Sequence, residues 1–219
     1  MNPGDGNDCT QGRLAAVIFD LDGVVVHSAL DFVDISRRIF GESAGGPVLE
    51  RIERLESAVL RGRAHRILEQ YEDEAARSAR LNRGMRELLA CLREKRIKTA
   101  VATRNTLRTV ETICRRFGLH FDAVVTRADA APKPSPQPIL LACEKLKVPV
   151  QQTLMVGDYE FDMQAGRAAG AATVLLRNAM QSSSHYADAT VGSLDELKCM
   201  IEADYWSSRR AKDQSGHHR

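Results

Sequence analysis

The sequence predicts an α/β domain of three layers, with helices on both faces of a parallel sheet and a helical segment inserted after the first strand. Five short apolar runs lack the polar alternation of half-exposed strands, which predicts a sheet buried on both faces. Amphipathic helical patterns separate most of these runs, as expected for a chain that alternates strand and helix. Residues 28–80 break the alternation, because they show helical periodicity without a strand.

The predicted core elements can be placed along the chain. Gly118 directly follows one helical pattern and is typical of a helix end. The predicted strands are Ala15–Phe19, Lys98–Ala102, Ala123–Thr126, Thr153–Val156 and Ala172–Leu176. The predicted helices are Met85–Lys95, Thr106–Phe117, Pro138–Leu146 and Phe161–Ala169.

The inserted segment has three apolar faces, within residues 32–40, 48–59 and 67–75, with breaks expected at 45–47 and at Gly62. A single crossover helix would not need three such faces. We therefore expect a reduced helical cap at 28–80. The alternative is a long helical crossover packed flat on the sheet. The remaining assignments are a core domain at 14–27 and 81–206 and disordered ends at 1–13 and 207–219.

Composition excludes several classes of protein. The 219 residues suffice for one buried core, and 31 Lys and Arg against 29 Asp and Glu give a net charge of +2. This balance argues against nucleic-acid partners and polybasic membrane binding. No apolar run approaches the ~18 residues of a membrane span, and the polar N-terminus lacks a secretory signal. Five cysteines without a CxxC pair indicate reduced thiols, so we expect a cytoplasmic protein.

Residues suited to phosphate or metal chemistry follow four of the five predicted strands, whereas Arg177 and Asn178 after the fifth add no acid. Ligands of open parallel sheets bind beyond the carboxyl ends of the strands, so we expect these side chains to meet at one edge. They are Asp20 and Asp22 after the first strand, Thr103 and Arg104 after the second, Lys133 after the third, and Asp158 and Asp162 after the fourth.

These residue types predict phosphate chemistry with a metal ion. Several carboxylates at one edge repel each other without a cation, and oxygen ligands suit Mg²⁺. Lys133 and Thr103 would complement the phosphate, and the spacing of Asp20 and Asp22 suits a nucleophile beside a general acid. Each feature alone is weak, because acidic pairs are commonly solvated and a threonine after a strand is often a helix cap. Their common position at strand ends gives them weight together.

As a set, these residues resemble the motifs of the haloacid dehalogenase superfamily, within which the chain looks most like the phosphoglycolate-phosphatase branch. The resemblance covers roughly Leu14 to Leu197 and is highly specific. The motifs are Asp20-Leu21-Asp22-Gly23-Val24, then Thr103, then Lys133-Pro134-Ser135-Pro136, and finally Gly157-Asp158 with Asp162.

The resemblance implies a Rossmann-like core with strand order 5-4-1-2-3 and a cap inserted after the first motif. It implies that Asp20 attacks phosphorus, that Asp22 acts as general acid and base, and that Thr103 and Lys133 hold the phosphoryl oxygens. Mg²⁺ would be bound by Asp20, Asp22 through its carbonyl, and Asp158, with Asp162 supporting these ligands. Members that dehalogenate lack an aspartate at the position of Asp22, so the resemblance implies hydrolysis of a small phosphorylated substrate.

Two departures from the family pattern bear on the substrate. The cap is shorter than the four-helix caps of the family, so a deep closed pocket is in doubt. Position 104 is arginine, which we expect to join Thr103 and Lys133 in phosphate binding by contacting a second anionic group of the substrate; the alternative is that Arg104 points to solvent.

Three alternatives to a phosphatase remain at this point. A phosphomutase of the β-phosphoglucomutase type shares the DLDGV start but needs a full cap. A catalytically silent scaffold would not need every motif residue. In a phospho-signalling receiver domain the phosphoacceptor lies on the third strand, which does not fit the order found here. The substrate and the oligomeric state cannot be predicted from the sequence.

Overall fold

A six-stranded parallel sheet forms the centre of the computed structural model, which describes residues 13–42, 47–179 and 181–206. In chain order the strands are β1 (Ala16–Phe19), β2 (Val26–His27), β3 (Arg80–Leu81), β4 (Lys98–Ala102), β5 (Ala123–Val125), β6 (Thr153–Gly157), β7 (Ala172–Leu176) and β8 (Ala189–Val191). The helices are α1 (Phe32–Phe40), α2 (Val48–Glu53), α3 (Ala58–Ser78), α4 (Met85–Glu94), α5 (Leu107–Phe117), α6 (Gln137–Leu146), α7 (Glu160–Ala169) and α8 (Leu194–Glu202), with a 3₁₀ turn at Val150–Gln152.

The order of strands in the large sheet is β5-β4-β1-β6-β7-β8. The predicted α/β class is therefore confirmed, and the sheet differs from the expected order 5-4-1-2-3 by one additional strand. That strand, β8, pairs with β7 at the sheet edge. Of its three residues only Val191 is buried, so β8 lacks the apolar run that predicts a buried strand. Helix α8 was also not predicted.

Helices cover both faces of the sheet, as its apolar strands require. Val17 and Phe19 of β1 face one layer, which contains Leu88 and Leu92 of α4 and buried residues of α5 and α8. Ile18 faces the other layer, which is formed by α6 and α7. Alternate residues of one strand thus enter two separate cores, so a polar residue is excluded from either face.

The inserted helices α1, α2 and α3 share a small core of their own, which includes Ile35, Ile52 and Leu68. The C-terminal end of α3 also packs against the main domain, since Ala76 is part of the larger core. The two ends of the insertion are joined by an unpredicted antiparallel pair, in which His27 lies opposite Arg80.

Two predictions inside the insertion are wrong. The face predicted across 48–59 is divided between α2 and α3, because Ser57 begins a new helix by accepting a hydrogen bond from the Leu60 N–H (3.4 Å). Val59 is consequently 79% exposed. Gly62 lies within α3 and does not break it, since one glycine costs a helix only about 1 kcal/mol.

Several sequence-based predictions fall outside the described residues. These are the disordered ends, apart from Arg13, and the break near residue 45, apart from Pro47. Within the described part of the chain, Cys91, Cys114, Cys143 and Cys199 are free thiols. No helix in the same part of the chain has the length and apolarity needed to cross a membrane.

Two glycines inside helices give predictions of opposite sign. A Cβ at Gly166 of α7 would lie 2.6 Å from Thr173 Cγ2 and 2.9 Å from Met155 Cβ, so Gly166→Ala should lower the free energy of unfolding by about 1–3 kcal/mol. At Gly62 the nearest atom is Arg66 Nη1 at 3.7 Å, so Gly62→Ala should raise it by up to about 1 kcal/mol. Urea denaturation measures both changes, and equal signs would contradict the packing described.

Candidate active site at the carboxyl edge of the sheet

The strand ends bring most of the predicted site residues together. Asp20 follows β1, Thr103 follows β4, and Asp158 follows β6, while Lys133 reaches the same edge from the loop after β5. β1 pairs in parallel with both β4 and β6, and Phe19 lies opposite Val101 on one side and Val156 on the other. Residues that follow these strands therefore emerge side by side.

Lys133 is the central cation of the site and is almost fully buried. Its Nζ donates to Asp20 Oδ1 (2.7 Å) and to the carbonyl oxygen of Ala102 (2.8 Å), and it lies 2.5 Å from Asp162 Oδ1. Burial alone would lower the pKa of this amine, but the charges of Asp162 and Asp20 outweigh burial and raise the pKa. Lys133 is therefore an ammonium ion at neutral pH.

Asp20, Asp158 and Asp162 each place a carboxylate oxygen within 4.8 Å of the others. Burial, followed by the charges of Asp20 and Asp162, raises the pKa of Asp158 to about 8. Burial is also the largest cause that raises the pKa of Asp162, to about 6, against the attraction of Lys133. Three carboxylates therefore share one ammonium ion, and the site has less positive charge than is needed to balance them. This oxygen-only set fits a hard divalent cation, which would favour the ionised forms.

Two glycines allow the carboxylates to approach each other. Gly23 has a φ of +80°, and a Cβ there would lie 1.9 Å from Asp158 Oδ2. A Cβ on Gly157 would lie 2.1 Å from the Cβ of Asp162. Both positions of the predicted motifs therefore exclude a side chain for steric reasons.

Asp22 lies beside the carboxylate cluster but has different partners. Its Oδ2 accepts a hydrogen bond from Asn105 Nδ2, and Ser28 also hydrogen-bonds to the carboxylate. Burial is the largest influence and raises the pKa of Asp22, with the charge of Asp20 acting in the same direction. An aspartate with a raised pKa is suited to carrying a proton.

Thr103 and Arg104 lie on one loop but face different surroundings. Thr103 is buried, and its Oγ1 accepts a hydrogen bond from the Asn105 N–H (3.1 Å). Arg104 contacts Glu50 of the inserted helix α2 and donates from Nη1 to the carbonyl oxygen of Lys133 (3.1 Å). The loop after β4 therefore joins the acidic edge to the inserted helices.

Three uncharged residues of the site were not assigned a role from the sequence. Asn105 and Ser28 bind Asp22, and Asn178 Nδ2 donates to both Oδ2 and the carbonyl oxygen of Asp158, each at 2.9 Å. Both asparagines stand within three residues of a strand end, which is a signal that attention to charged groups alone overlooks.

The comparison with known families identifies the class of this chain. Residues 17–176 match the family of haloacid dehalogenase-like hydrolases. The chain belongs to this family. The resemblance to the haloacid dehalogenase superfamily that the sequence motifs indicate is thereby confirmed. The matched range contains every predicted site residue from Asp20 to Asp162.

Individual relatives agree with this assignment. The chain is 31% identical to the N-acetylmuramic acid 6-phosphate phosphatase of Pseudomonas putida, over 75% of this chain and 83% of that protein. It is 30% identical to the phosphoglycolate phosphatase of Chromobacterium violaceum, over 84% and 95% of the two chains. Both relatives are named as phosphatases, which confirms the prediction that this chain is an enzyme of the phosphatase type.

A solved structure shows the same fold. A mutant of CbbY from Rhodobacter sphaeroides, crystallised with xylulose-1,5-bisphosphate, superimposes with a TM-score of 0.69 at 23% identity. The match covers 84% of this chain and 96% of that one.

The raised pKa of Asp158 predicts how stability depends on pH in the metal-free protein. From the ordinary value of 3.8 up to about 8, the unfolded chain is ionised at this position while the folded protein keeps the proton. The free energy of unfolding should therefore fall as the pH rises through this range and level off above it. Asp158→Asn removes the titrating group, so the free energy of unfolding of this variant should fall less than that of wild type over the same pH range.

Thermal unfolding in EDTA, from about pH 5 to about pH 8, measures this difference. Asp73→Asn is a suitable control, because Asp73 lies on α3 outside the carboxylate cluster and pairs with Arg108 (3.2 Å). Parallel curves for wild type and Asp158→Asn would contradict the prediction.

Proposed function

We propose that this chain is a Mg²⁺-dependent phosphomonoesterase that acts on a small phosphorylated metabolite through an aspartyl-phosphate on Asp20. The observation that carries the proposal is the contact of Lys133 Nζ with Asp20 Oδ1 at 2.7 Å, beside the carboxylates of Asp158 and Asp162. A nucleophile, a phosphate-binding cation and a cluster of oxygen ligands thus share one strand edge. The relatives named as phosphatases support the same reaction.

Asp20 is assigned as the nucleophile. Lys133 holds its carboxylate in position, so little reorganisation is needed before attack. A new bond forms between a carboxylate oxygen of Asp20 and phosphorus, while the bond from phosphorus to the leaving oxygen breaks. Water then attacks the phosphorus of the aspartyl-phosphate, which releases inorganic phosphate and restores Asp20.

Asp22 is assigned as the general acid and base. Its raised pKa favours the protonated form that the first step requires, and the leaving oxygen takes that proton. The resulting carboxylate then accepts a proton from the attacking water. Asn105 holds Asp22 in place through its amide group.

The remaining residues bind the phosphoryl group and the metal ion. Thr103 and Lys133 are assigned to the phosphoryl oxygens. Bound Mg²⁺ would neutralise charge on the phosphoryl group and polarise it. Its assigned ligands are Asp20, the carbonyl oxygen of Asp22, and Asp158, and Asp162 supports them.

Residues 28–80 are assigned as a reduced helical cap that faces the leaving group. The separate small core of α1, α2 and α3 supports this assignment. The pairing of His27 with Arg80 also supports it, because the two connections of the insertion then lie side by side.

Replacement of the nucleophile gives the first test. Asp20→Asn should abolish turnover of p-nitrophenyl phosphate while the protein remains folded, because an amide is a poor nucleophile. Initial rates with Mg²⁺ and a circular dichroism spectrum check both parts. Asp73→Asn is the control and should keep wild-type activity. Turnover by the folded Asp20→Asn protein comparable to wild type would exclude Asp20 as the nucleophile.

Metal dependence gives the second test. EDTA should abolish hydrolysis and Mg²⁺ should restore it, whereas Ca²⁺ should inhibit. Ca²⁺ accepts about 6–8 oxygen ligands, including both oxygens of one carboxylate, and would thus engage the attacking oxygen of Asp20. Metal-free rates equal to those with Mg²⁺ would overturn the metal assignment.

A further inference from the structure

Asn178 lies two residues beyond the end of β7 and contacts a carboxylate of the candidate active site. β7 pairs in parallel with β6, with Leu175 opposite Gly157, so the loops after these two strands leave the same edge of the sheet. The Nδ2 of Asn178 donates to Oδ2 and to the backbone carbonyl oxygen of Asp158, each at 2.9 Å. The strand that adds no acid to the site is therefore followed by an amide group that reaches it.

The two hydrogen bonds fix the Asp158 side chain relative to its own backbone. An asparagine amide carries two N–H donors, which is enough to supply both acceptors of Asp158. Within the described part of the chain, Asn178 is the only hydrogen-bond donor to the Asp158 carboxylate. Rotation of this carboxylate would break that hydrogen bond, whereas Oδ1 is left available to a cation.

A turn holds the other half of the Asn178 amide. Its Oδ1 accepts a hydrogen bond from the Gln181 N–H at 2.8 Å, and the Asn178 N–H donates to the Gln181 carbonyl oxygen at 3.1 Å. These contacts direct the amide oxygen toward the turn and the amide nitrogen toward Asp158. Position 178 thus uses a side-chain acceptor and a side-chain donor together, which an asparagine offers and an ionised aspartate does not.

The donor to Asp158 carries no charge, which distinguishes this carboxylate from its neighbours. Asp20 and Asp162 face the ammonium group of Lys133, at 2.7 and 2.5 Å. Asn178 holds Asp158 without compensating its negative charge, so that charge is left for a cation to compensate. Residues that hold a metal ligand through a hydrogen bond typically change metal affinity by about 10–100-fold when they are replaced.

We propose that Asn178 is a positioning residue for the divalent cation and acts by holding Asp158 in the orientation that binds the ion. The inference rests on the metal assignment of the proposed function and extends it to a residue outside the sequence motifs. If the role of Asn178 were confined to the turn with Gln181, its replacement would weaken the turn and leave the affinity for the ion unchanged.

The test is the binding of Mg²⁺ to the substrate-free protein, measured by isothermal titration calorimetry. Asn178→Ala should raise Kd by about 10–100-fold. The matched control is Gln181→Ala, because the Gln181 side chain contacts Ser183 and Glu160 rather than Asp158. This control should keep the wild-type Kd, and circular dichroism shows whether each variant is folded.

Activity measurements separate positioning of the ion from a direct role in the reaction. Asn178→Ala should hydrolyse p-nitrophenyl phosphate with about the wild-type kcat once Mg²⁺ is saturating. Only the Mg²⁺ concentration that gives half of the maximal rate should rise. A kcat that stays far below that of wild type at saturating Mg²⁺ would overturn the positioning role.

The outcomes of the binding experiment separate this inference from the proposed function. If wild type binds no Mg²⁺, the metal assignment of the proposed function fails, and the inference fails with it. If wild type binds Mg²⁺ and the folded Asn178→Ala protein binds it as tightly, only the inference is overturned. An equal loss of affinity in Gln181→Ala would assign the effect to the turn and would overturn the inference as well.

Discussion

The buried ammonium group of Lys133 is the interaction on which the carboxyl edge of the sheet depends. A charge at this depth is costly unless it is paired and hydrogen-bonded, and Nζ has Asp20, Asp162 and the Ala102 carbonyl as partners. These partners come from the ends of two strands and from the first turn of a helix, so a single side chain links β1, β4 and α7. The same group explains why Asp162 is buried, since its carboxylate compensates Lys133. Asp158 makes no such contact with Lys133, and its pKa rises further.

The parallel sheet determines where this chemistry lies. Successive strands run in one direction, so the residue after each strand arrives at the same edge, and the register of β1 with β4 and β6 places those residues level with each other. The predicted positions of Asp20, Thr103 and Asp158 follow from strand direction, whereas Lys133 reaches the same edge from the loop after β5. This is why the approximate composition of the site could be predicted from short apolar runs and the residues that follow them.

Contacts between distant elements could not be predicted in this way. Arg104 and Glu50 are 54 residues apart, and Asn105 and Asp22 are 83 apart, with no periodic pattern that relates the partners. The start of α3 depended on a single Ser57 hydroxyl, whereas Gly62 suggested a break that the helix tolerates. Strand β8 has too few buried residues to be distinguished from a loop. The direction of a strand follows from a run of several residues. The contacts of Arg104 and Asn105, in contrast, depend on single side chains whose partners the sequence does not indicate.

The loop after β4 connects the assigned chemistry with the inserted helices. The side chain of Asn105 binds Asp22, and Arg127 Nη1 donates to the backbone carbonyl of Arg104 at 2.9 Å and to Glu72 Oε1 of α3 at 2.6 Å. Burial raises the pKa of Glu72 to about 7 despite Arg127, so the cost of removing this carboxylate from water exceeds the attraction of its partner.

Within the described residues, Glu72 Oε2 and Arg127 Nη2 also lack a hydrogen-bond partner, which makes this buried contact weaker than a fully satisfied pair. The contacts of Arg104 with Glu50 and of Arg127 with Glu72 are thus of modest net strength, because the first is partly exposed and the second is incompletely hydrogen-bonded. Arg104 thus joins the loop that carries Thr103 and Asn105 to α2 through Glu50, and Arg127 joins the backbone of the same loop to α3 through Glu72.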